Sequence, residues 1–285
     1  MDIWSTGSPG DVTEAFEFEP HDSIPTPPQP VKIATWNVNS LKVRLTQVVD
    51  WLEKEQPDIL ALQETKTPDE NFPLVEFEAA GYQASYSGQK TYNGVAVLSK
   101  LPATDTVTDI PSLDDPQRRI LAVSVNGVRV VNLYVVNGQE VGSEKFQYKL
   151  HWLEKVSAFL RSQLSEHSHV VVLGDFNIAP QDRDVHDPAL WHERILCSTP
   201  EREALQKMLE AGLVDVFRRF DQPEKSFSWW DYRFAAFRRN RGMRIDLILA
   251  SQALAEQCTA SAIDINPRKH ERPSDHTPVF AEFSL

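Results

Sequence analysis

The residues of this chain best equipped for chemistry are oxygen- and nitrogen-bearing side chains placed where apolar runs stop. In Val170-Val171-Val172-Leu173-Gly174-Asp175-Phe176-Asn177, four β-prone apolar residues suit a strand buried on both faces, and Gly174 ends the run. With an extended backbone beyond it, Asp175 and Asn177 would share one side. Alone, they could equally be shaping a turn, which both residue types favour. The pattern recurs, and recurrence points to chemistry. Residues 31–36 lead to Asn37 and Asn39, residues 58–62 lead to Gln63 and Glu64, and residues 128–135 carry Tyr134 near their end with Asn137 beyond. Asp246 sits in the apolar run 244–249, and Asp275-His276 precedes the run 279–283. Carboxylates and amide oxygens are hard ligands suited to Mg²⁺ or Mn²⁺ and poorly suited to zinc. A histidine beside an acid can move a proton or clamp a charge. Neither a serine or cysteine nucleophile elbow nor a glycine-rich phosphate loop is present. The inventory favours metal-assisted hydrolysis by water over a covalent intermediate.

These groups need strands to carry them and helices to cover the strands. Leu41, Leu45, Val48, Val49 and Leu52 recur at helical spacing, so a helix should run from there and stop before Pro57. With the strands on either side, it makes a βαβ-like beginning. Between 81 and 135 the pattern changes to short strands, at 82–86, 94–99, 120–125 and 128–135, with Asn126-Gly127 as a hairpin signal. Phe146, Leu150, Leu153, Val156, Leu160 and Leu164 form one apolar stripe of a long helix. Thr199-Pro200-Glu201 reads as a helix start and Gly212 as its stop. Each half thus contains a strand-helix-strand passage and strands with polar ends.

At 285 residues, with 41% hydrophobic and 25% charged residues, the chain can bury a sizeable core. No apolar run is long enough to span a membrane. Cys197 and Cys258 indicate neither a disulfide framework nor a zinc site, and a reducing cytoplasm is the expected location. The net charge of −12 argues superficially against a polyanionic partner, but half of it lies in residues 1–30, which hold six acids and no Lys or Arg. That segment, interrupted by Pro25, Pro28 and Pro30, reads as a disordered acidic tail ahead of a catalytic domain at 31–285. Arg233, Arg238, Arg239, Arg241 and Arg244 cluster in one segment, with smaller groups at Arg118-Arg119 and around Arg268. A locally basic face on an acidic body can bind phosphates.

Five ordered blocks carry a resemblance: Thr35-Trp36-Asn37-Val38-Asn39, Leu62-Gln63-Glu64-Thr65-Lys66, Gly174-Asp175-Phe176-Asn177-Ile178, Arg244-Ile245-Asp246 and Ser274-Asp275-His276-Thr277-Pro278. From about residue 31 to the end, the chain resembles the exonuclease III family of apurinic/apyrimidinic endonucleases, within the endonuclease/exonuclease/phosphatase superfamily. The tract Phe227-Ser228-Trp229-Trp230-Asp231-Tyr232-Arg233 is more specific to the DNA-repair branch. The resemblance implies a four-layered α/β sandwich, two mixed β-sheets packed face to face with helices outside. It implies a monomeric nuclease of base excision repair, dependent on Mg²⁺ with Mn²⁺ able to substitute. Its substrate would be duplex DNA with abasic sites, nicks or 3′ ends, cleaved to leave a 3′-hydroxyl.

The residue roles follow from the resemblance as well. Glu64 would be the main metal ligand, with Asn37 beside it and Asp275 near; Asp175, Asn177 and His276 could form a second site. Asp175 would position and deprotonate water, and Asn177 would help hold water and phosphate. His276, oriented by Asp246, would bond a phosphate oxygen. Tyr134 and Asn137 would contact phosphate, Arg118 would contact the DNA backbone, and Trp229, Met243 and Ile245 would line a pocket for a baseless sugar. Another branch of the superfamily, acting on inositol phosphates or phospholipids, is the alternative; the Trp229 and arginine tract argues against it. An inactive DNA-binding protein is a further alternative, opposed by the filling of every expected polar position. The departure lies at residues 192–198, which are not uniformly small; in the family, bulk in this loop would disfavour cleavage within a duplex.

Overall fold

The computed structural model describes Met1, residues 30–110 and residues 112–285. The expectation of a disordered tail at 1–30 therefore falls almost wholly outside the described residues. Pro30 already belongs to the first strand.

The strands and helices follow in chain order. The first half contains β1 (Pro30–Asn37), α1 (Leu41–Glu55), β2 (Ile59–Gln63), α2 (Leu74–Ala79), β3 (Gln83–Ser87) and β4 (Val95–Ser99). Then come β5 (Ala103–Val107), β6 (Ile120–Val125), β7 (Val128–Tyr134), α3 (Glu144–Glu166) and β8 (Val170–Asp175). The chain continues through α4 (Pro188–Trp191), α5 (Thr199–Glu210) and β9 (Leu213–Asp215). It ends with β10 (Asp246–Ser251), α6 (Gln252–Glu256), β11 (Cys258–Ile263) and β12 (Val279–Ser284).

The strands form two six-stranded sheets, ordered β11-β12-β1-β2-β4-β3 and β5-β6-β7-β8-β10-β9. Both are mixed, because one pair in each is parallel: β1 with β2, and β7 with β8. Each parallel pair is joined by a helix, α1 or α3, as a parallel connection requires. This is the repeated strand-helix-strand passage expected from the sequence.

Three apolar layers hold the sandwich together. Ile33, Ala61 and Val97 of one sheet meet Val123, Val171 and Ile248 of the other between the sheets. Trp36, Leu60 and Leu98 face outward against Val48, Trp51 and Leu52 of α1. Val131, Val170, Val172 and Leu249 face outward against Trp152, Val156 and Leu160 of α3 and Leu205 of α5. Val170–Leu173 thus alternate between two buried faces, which is why that run is apolar throughout. One polar seam crosses the core. Asn132 donates to the carbonyls of Leu62 and Ala96 on the facing sheet, and its oxygen accepts from Gln63 Nε2 at 2.7 Å.

Some expectations were displaced. Gly174 does not end the strand; it pairs with Leu133 and Leu247 inside β8. A Cβ there would lie 1.9 Å from the Leu133 carbonyl oxygen, so the close approach of β7 demands glycine. Strands β5, β9 and β11 were not anticipated, and all are edge or short strands with exposed or partly exposed residues. Asn126-Gly127 does form the hairpin turn, both residues at positive φ.

Candidate active site

Every polar strand end lies at one rim of the sandwich. Asn37, Tyr134 and Asp175 close β1, β7 and β8, Glu64 follows β2, and Asp246 opens β10. Register fixes them: Asp175 is paired across to Tyr134 on one side and to Asp246 on the other. His276 arrives on the segment before β12, bridged to Trp229.

The side chains form one connected network. Asn37 Nδ2 donates to Glu64 Oε1 and to Asp175 Oδ2, both at 2.9 Å. His276 Nδ1 lies 2.9 Å from Asp246 Oδ2, and its Nε2 lies 3.7 Å from Asp175 Oδ2. With Nδ1 committed to Asp246, Nε2 is the nitrogen free to act on a substrate. Asn177 donates through Nδ2 to the Val135 carbonyl, and its Oδ1 accepts from Asn137 Nδ2 at 3.1 Å. The extended backbone assumed for Asp175 and Asn177 does not occur. Asn177 has φ 48°, and its N–H donates to Asp175 Oδ1 at 2.9 Å. Turn and chemistry are therefore the same feature: the turn brings both side chains to the site. Glu64 also has positive φ, at 49°, unusual for its type.

Burial and charge set the protonation states. Desolvation is the main reason the Asp175 carboxyl is pushed up to about 7; His276 opposes the rise and Asp246 adds to it. Burial alone would lower His276, but the carboxylates of Asp246 and Asp175 outweigh it and raise the imidazole to about 10. The Tyr134 phenol is held well above its ordinary range by burial and by the charges of Glu64 and Asp175, so it remains a neutral donor. The result is a base near neutrality beside a cationic imidazole.

Donor atoms of Glu64, Asp175 and His276 lie within 4.8 Å of one another. The two carboxylates are hard oxygen donors facing a rim partly open to solvent, which fits a divalent cation of the Mg²⁺ type. His276 brings a ring nitrogen within the same reach, while its Nδ1 lies against Asp246. Asp275 is not brought into this group: its carboxylate accepts from Trp229 Nε1 and Asn39 Nδ2, each at 3.0 Å.

The other expected residues fall around the rim. Asn137 is exposed at the mouth. Arg118 is partly exposed and lies 3.4 Å from Asp109. Trp229 is partly exposed, whereas Met243 and Ile245 are buried at 0% and 1%, beneath Trp229, Trp191 and Ile195. Met243 and Ile245 are thus a floor under the apolar surface and do not line it. Three basic residues of the clusters are buried. Arg119 lies over the Tyr134 ring. Arg244 is paired with Asp184 and Asp215, and Arg268 is packed among the rings of Trp230, Tyr232 and Phe237. Arg238, Arg239 and Arg241 remain on the surface.

Several contributors escaped the sequence reading. Lys66 lies 2.9 Å from Glu64 Oε2 and donates to Asn39 Oδ1 at 2.6 Å. Lys149 reaches the backbone of both Asn137 and Asn177. Its signal was present: Lys149 stands on the apolar stripe of α3, three residues after Phe146 and four before Leu153.

The chain is similar to known proteins over most of its length. The profile of the Endonuclease/Exonuclease/phosphatase family matches residues 34–276. Exodeoxyribonuclease III of Haemophilus influenzae is 36% identical over 266 residues, covering 89% of this chain and all of that protein. A 3′ phosphatase from Neisseria, NExo, solved with a product DNA hairpin, is 47% identical with a TM-score of 0.88, over 90% of this chain and 100% of the other. An AP endonuclease from Archaeoglobus fulgidus is 40% identical, with a TM-score of 0.86 over 90% of this chain and 100% of that one.

Proposed function

The chain belongs to the endonuclease/exonuclease/phosphatase family, and from that premise we propose that it is a Mg²⁺-dependent DNA-repair phosphodiesterase acting on duplex DNA 5′ to abasic sites, at nicks and at blocked 3′ ends. The nuclease class follows from the exodeoxyribonuclease relatives. The observation that carries the finer reading is the buried pair of Asp175 and His276 beside Glu64. It supplies a base, a cationic donor and a hard cation site within one cluster of side chains.

In this reading Glu64 holds the cation, with Asp175 within reach of it and Asn37 fixing both carboxylates. A bound divalent cation would stabilise the charge that grows on the phosphate oxygens. Asp175 aligns a water and takes its proton, which its raised pKa permits near neutral pH. His276 donates from Nε2 to a non-bridging oxygen, and Asp246 keeps it protonated and oriented. Tyr134 donates to the phosphate or leaving group. Asn177 and Asn137 hold the remaining oxygens. The product is a 3′-hydroxyl, with no covalent adduct. Trp229, with Trp191 and Ile195, offers apolar surface for a sugar lacking its base. Asp275 serves by fixing Trp229 and Asn39. Residues 31–285 act as one catalytic domain, working as a monomer, and 1–30 as an appended tail. Among the described residues no helix is long and apolar enough to cross a membrane.

The test is to give the purified protein, with Mg²⁺ or with chelator, three labelled duplexes: an internal abasic analogue, a nicked 3′-phosphate and a recessed 3′-hydroxyl. Cleavage of at least one in Mg²⁺, abolished by chelation, supports the reading. Inactivity on all three, with turnover of an inositol phosphate or phospholipid, overturns it.

A further inference from the structure

The most completely buried ion pair near the rim has no part in the chemistry described above. The side chains of Lys149 and Glu201 are both 0% exposed and in direct contact. The remaining ammonium donors of Lys149 go to backbone. One reaches the Asn137 carbonyl at 3.1 Å and another the Asn177 carbonyl at 2.7 Å. Those three acceptors saturate the ammonium. Glu201 is equally committed. Beyond Lys149 it accepts from the N–H groups of Leu196 and Ser198, each at 3.1 Å, and from Ser198 Oγ at 2.6 Å. Two buried side chains therefore join three separate loops: the one after β7, the one after β8, and the one between α4 and α5.

The surroundings leave little slack. A Cβ on Gly138, at φ +90°, would lie 2.9 Å from Ile195 Cδ1 and 3.0 Å from Lys149 Cδ, so the loops already touch through the Lys149 stem. Ala179 N–H donates to the Leu196 carbonyl at 2.8 Å, and Arg202 Nε donates to the Ala179 carbonyl at 3.0 Å. Leu196 packs with Met243 and Ile245, beneath Trp229. Burying an ion pair costs desolvation and is weak evidence for stability, so a role beyond stability is the more economical account.

We propose that Lys149 is a positioning residue for hydrolysis: its ammonium sets the Asn137 and Asn177 backbones side by side, and Glu201 locks that pair to the 196–198 loop beside the apolar wall. The separation between the phosphate-holding amides and the sugar-facing wall is then fixed by one buried pair. This rests on the reading of Asn137 and Asn177 as phosphate-holding groups.

The test compares Lys149→Met, Lys149→Met/Glu201→Gln and Lys149→Gln/Glu201→Gln with wild type on a nicked 3′-phosphate duplex. Lys149→Met strands a buried carboxylate, so its Tm should fall; the neutral double variants should regain most of that loss. Turnover should not follow Tm. In Lys149→Met/Glu201→Gln, kcat should stay at least ~10-fold below wild type with a smaller change in KM, because the two carbonyls still lack their donor. Lys149→Gln/Glu201→Gln keeps amide donors at that position and should recover part of that kcat. Amide hydrogen exchange of residues 137–139 and 196–198 should accelerate together in Lys149→Met/Glu201→Gln. Recovery of wild-type kcat along with Tm, or acceleration in one loop only, overturns the proposal. If Lys149→Met/Glu201→Gln does not fold, Lys149→Met/Glu201→Met, which also removes both charges and the donor, carries the same comparison. Inactive wild type would sink the functional reading, and hydrogen exchange would still decide the tie.

Discussion

At the scale of single residues, the site works by giving like groups unlike environments. Glu64 is partly exposed and faces Lys66, whereas Asp175 is buried between Asn37, Asn177 and His276. The proposed mechanism uses that difference, with Glu64 holding the cation and Asp175 accepting the proton. Glu64→Gln keeps the shape and removes one charge, so the Mg²⁺ midpoint of activity should move to higher concentration. High Mg²⁺ or Mn²⁺ should restore part of the rate; identical midpoints would show that Glu64 is not a ligand. The pH profile follows from the two shifted groups. In the proposed mechanism Asp175 acts when ionised and His276 when protonated, so kcat/KM should rise with pH through about 7 and fall through about 10. A bound cation favours the ionised Asp175, so more Mg²⁺ should move the rising limb to lower pH. Asp246→Asn removes the charge that raises His276, so the falling limb should move to lower pH; an unmoved limb would separate His276 from it. Asn37, Glu64 and Asp175 were legible as polar residues closing apolar runs, and His276 as part of an Asp-His pair just before one. The roles of Lys66 and Lys149 were not, because Asn39 lies 27 residues from Lys66 and Asn177 lies 28 from Lys149, and only the fold makes them neighbours.

At the scale of elements, the parallel pairs β1–β2 and β7–β8 matter most, because each delivers two polar ends to the same rim. These strands were readable because burial on both faces leaves them mostly apolar, with few polar residues such as Lys32 and Asn132 between. Edge strands β5 and β9 were not: one is largely exposed and the other only three residues long. The apolar stripe from Phe146 to Leu164 reaches within two residues of α3 at either end, and the Ser143 cap that sets its start shows only in the structure. Gly174 is the element-scale constraint on the site. Gly174→Ala places a Cβ against the Leu133 carbonyl one residue before Asp175. It should cost at least ~2 kcal/mol in denaturant unfolding, as other backbone clashes of this kind do. A loss below ~0.5 kcal/mol, the range of ordinary surface changes, would show that β7 and β8 can separate there.

At the scale of the whole molecule, an acidic chain must present DNA with a locally basic face. Composition could not show which arginines do this, because charge clusters in sequence need not cluster on the surface. Arg244 and Arg268 are interior, while Arg238, Arg239 and Arg241 are exposed and Arg118 partly so. Arg118→Ala should therefore lower the log–log salt slope of DNA binding by roughly 0.9, the value for one lost phosphate contact. Trp229→Ala should leave that slope nearly unchanged and impair abasic substrates. An unchanged slope in the first and an altered one in the second would reverse the division between backbone grip and sugar pocket. The central claim is that water is activated by Asp175 at a cation site against a DNA phosphate. Single-turnover hydrolysis of the best duplex substrate by Asp175→Asn, with DNA binding measured in parallel, tests it most directly. The account predicts binding close to wild type and a rate lower by at least ~10²-fold, the least a positioned general base supplies. Near-normal turnover in that variant would contradict it.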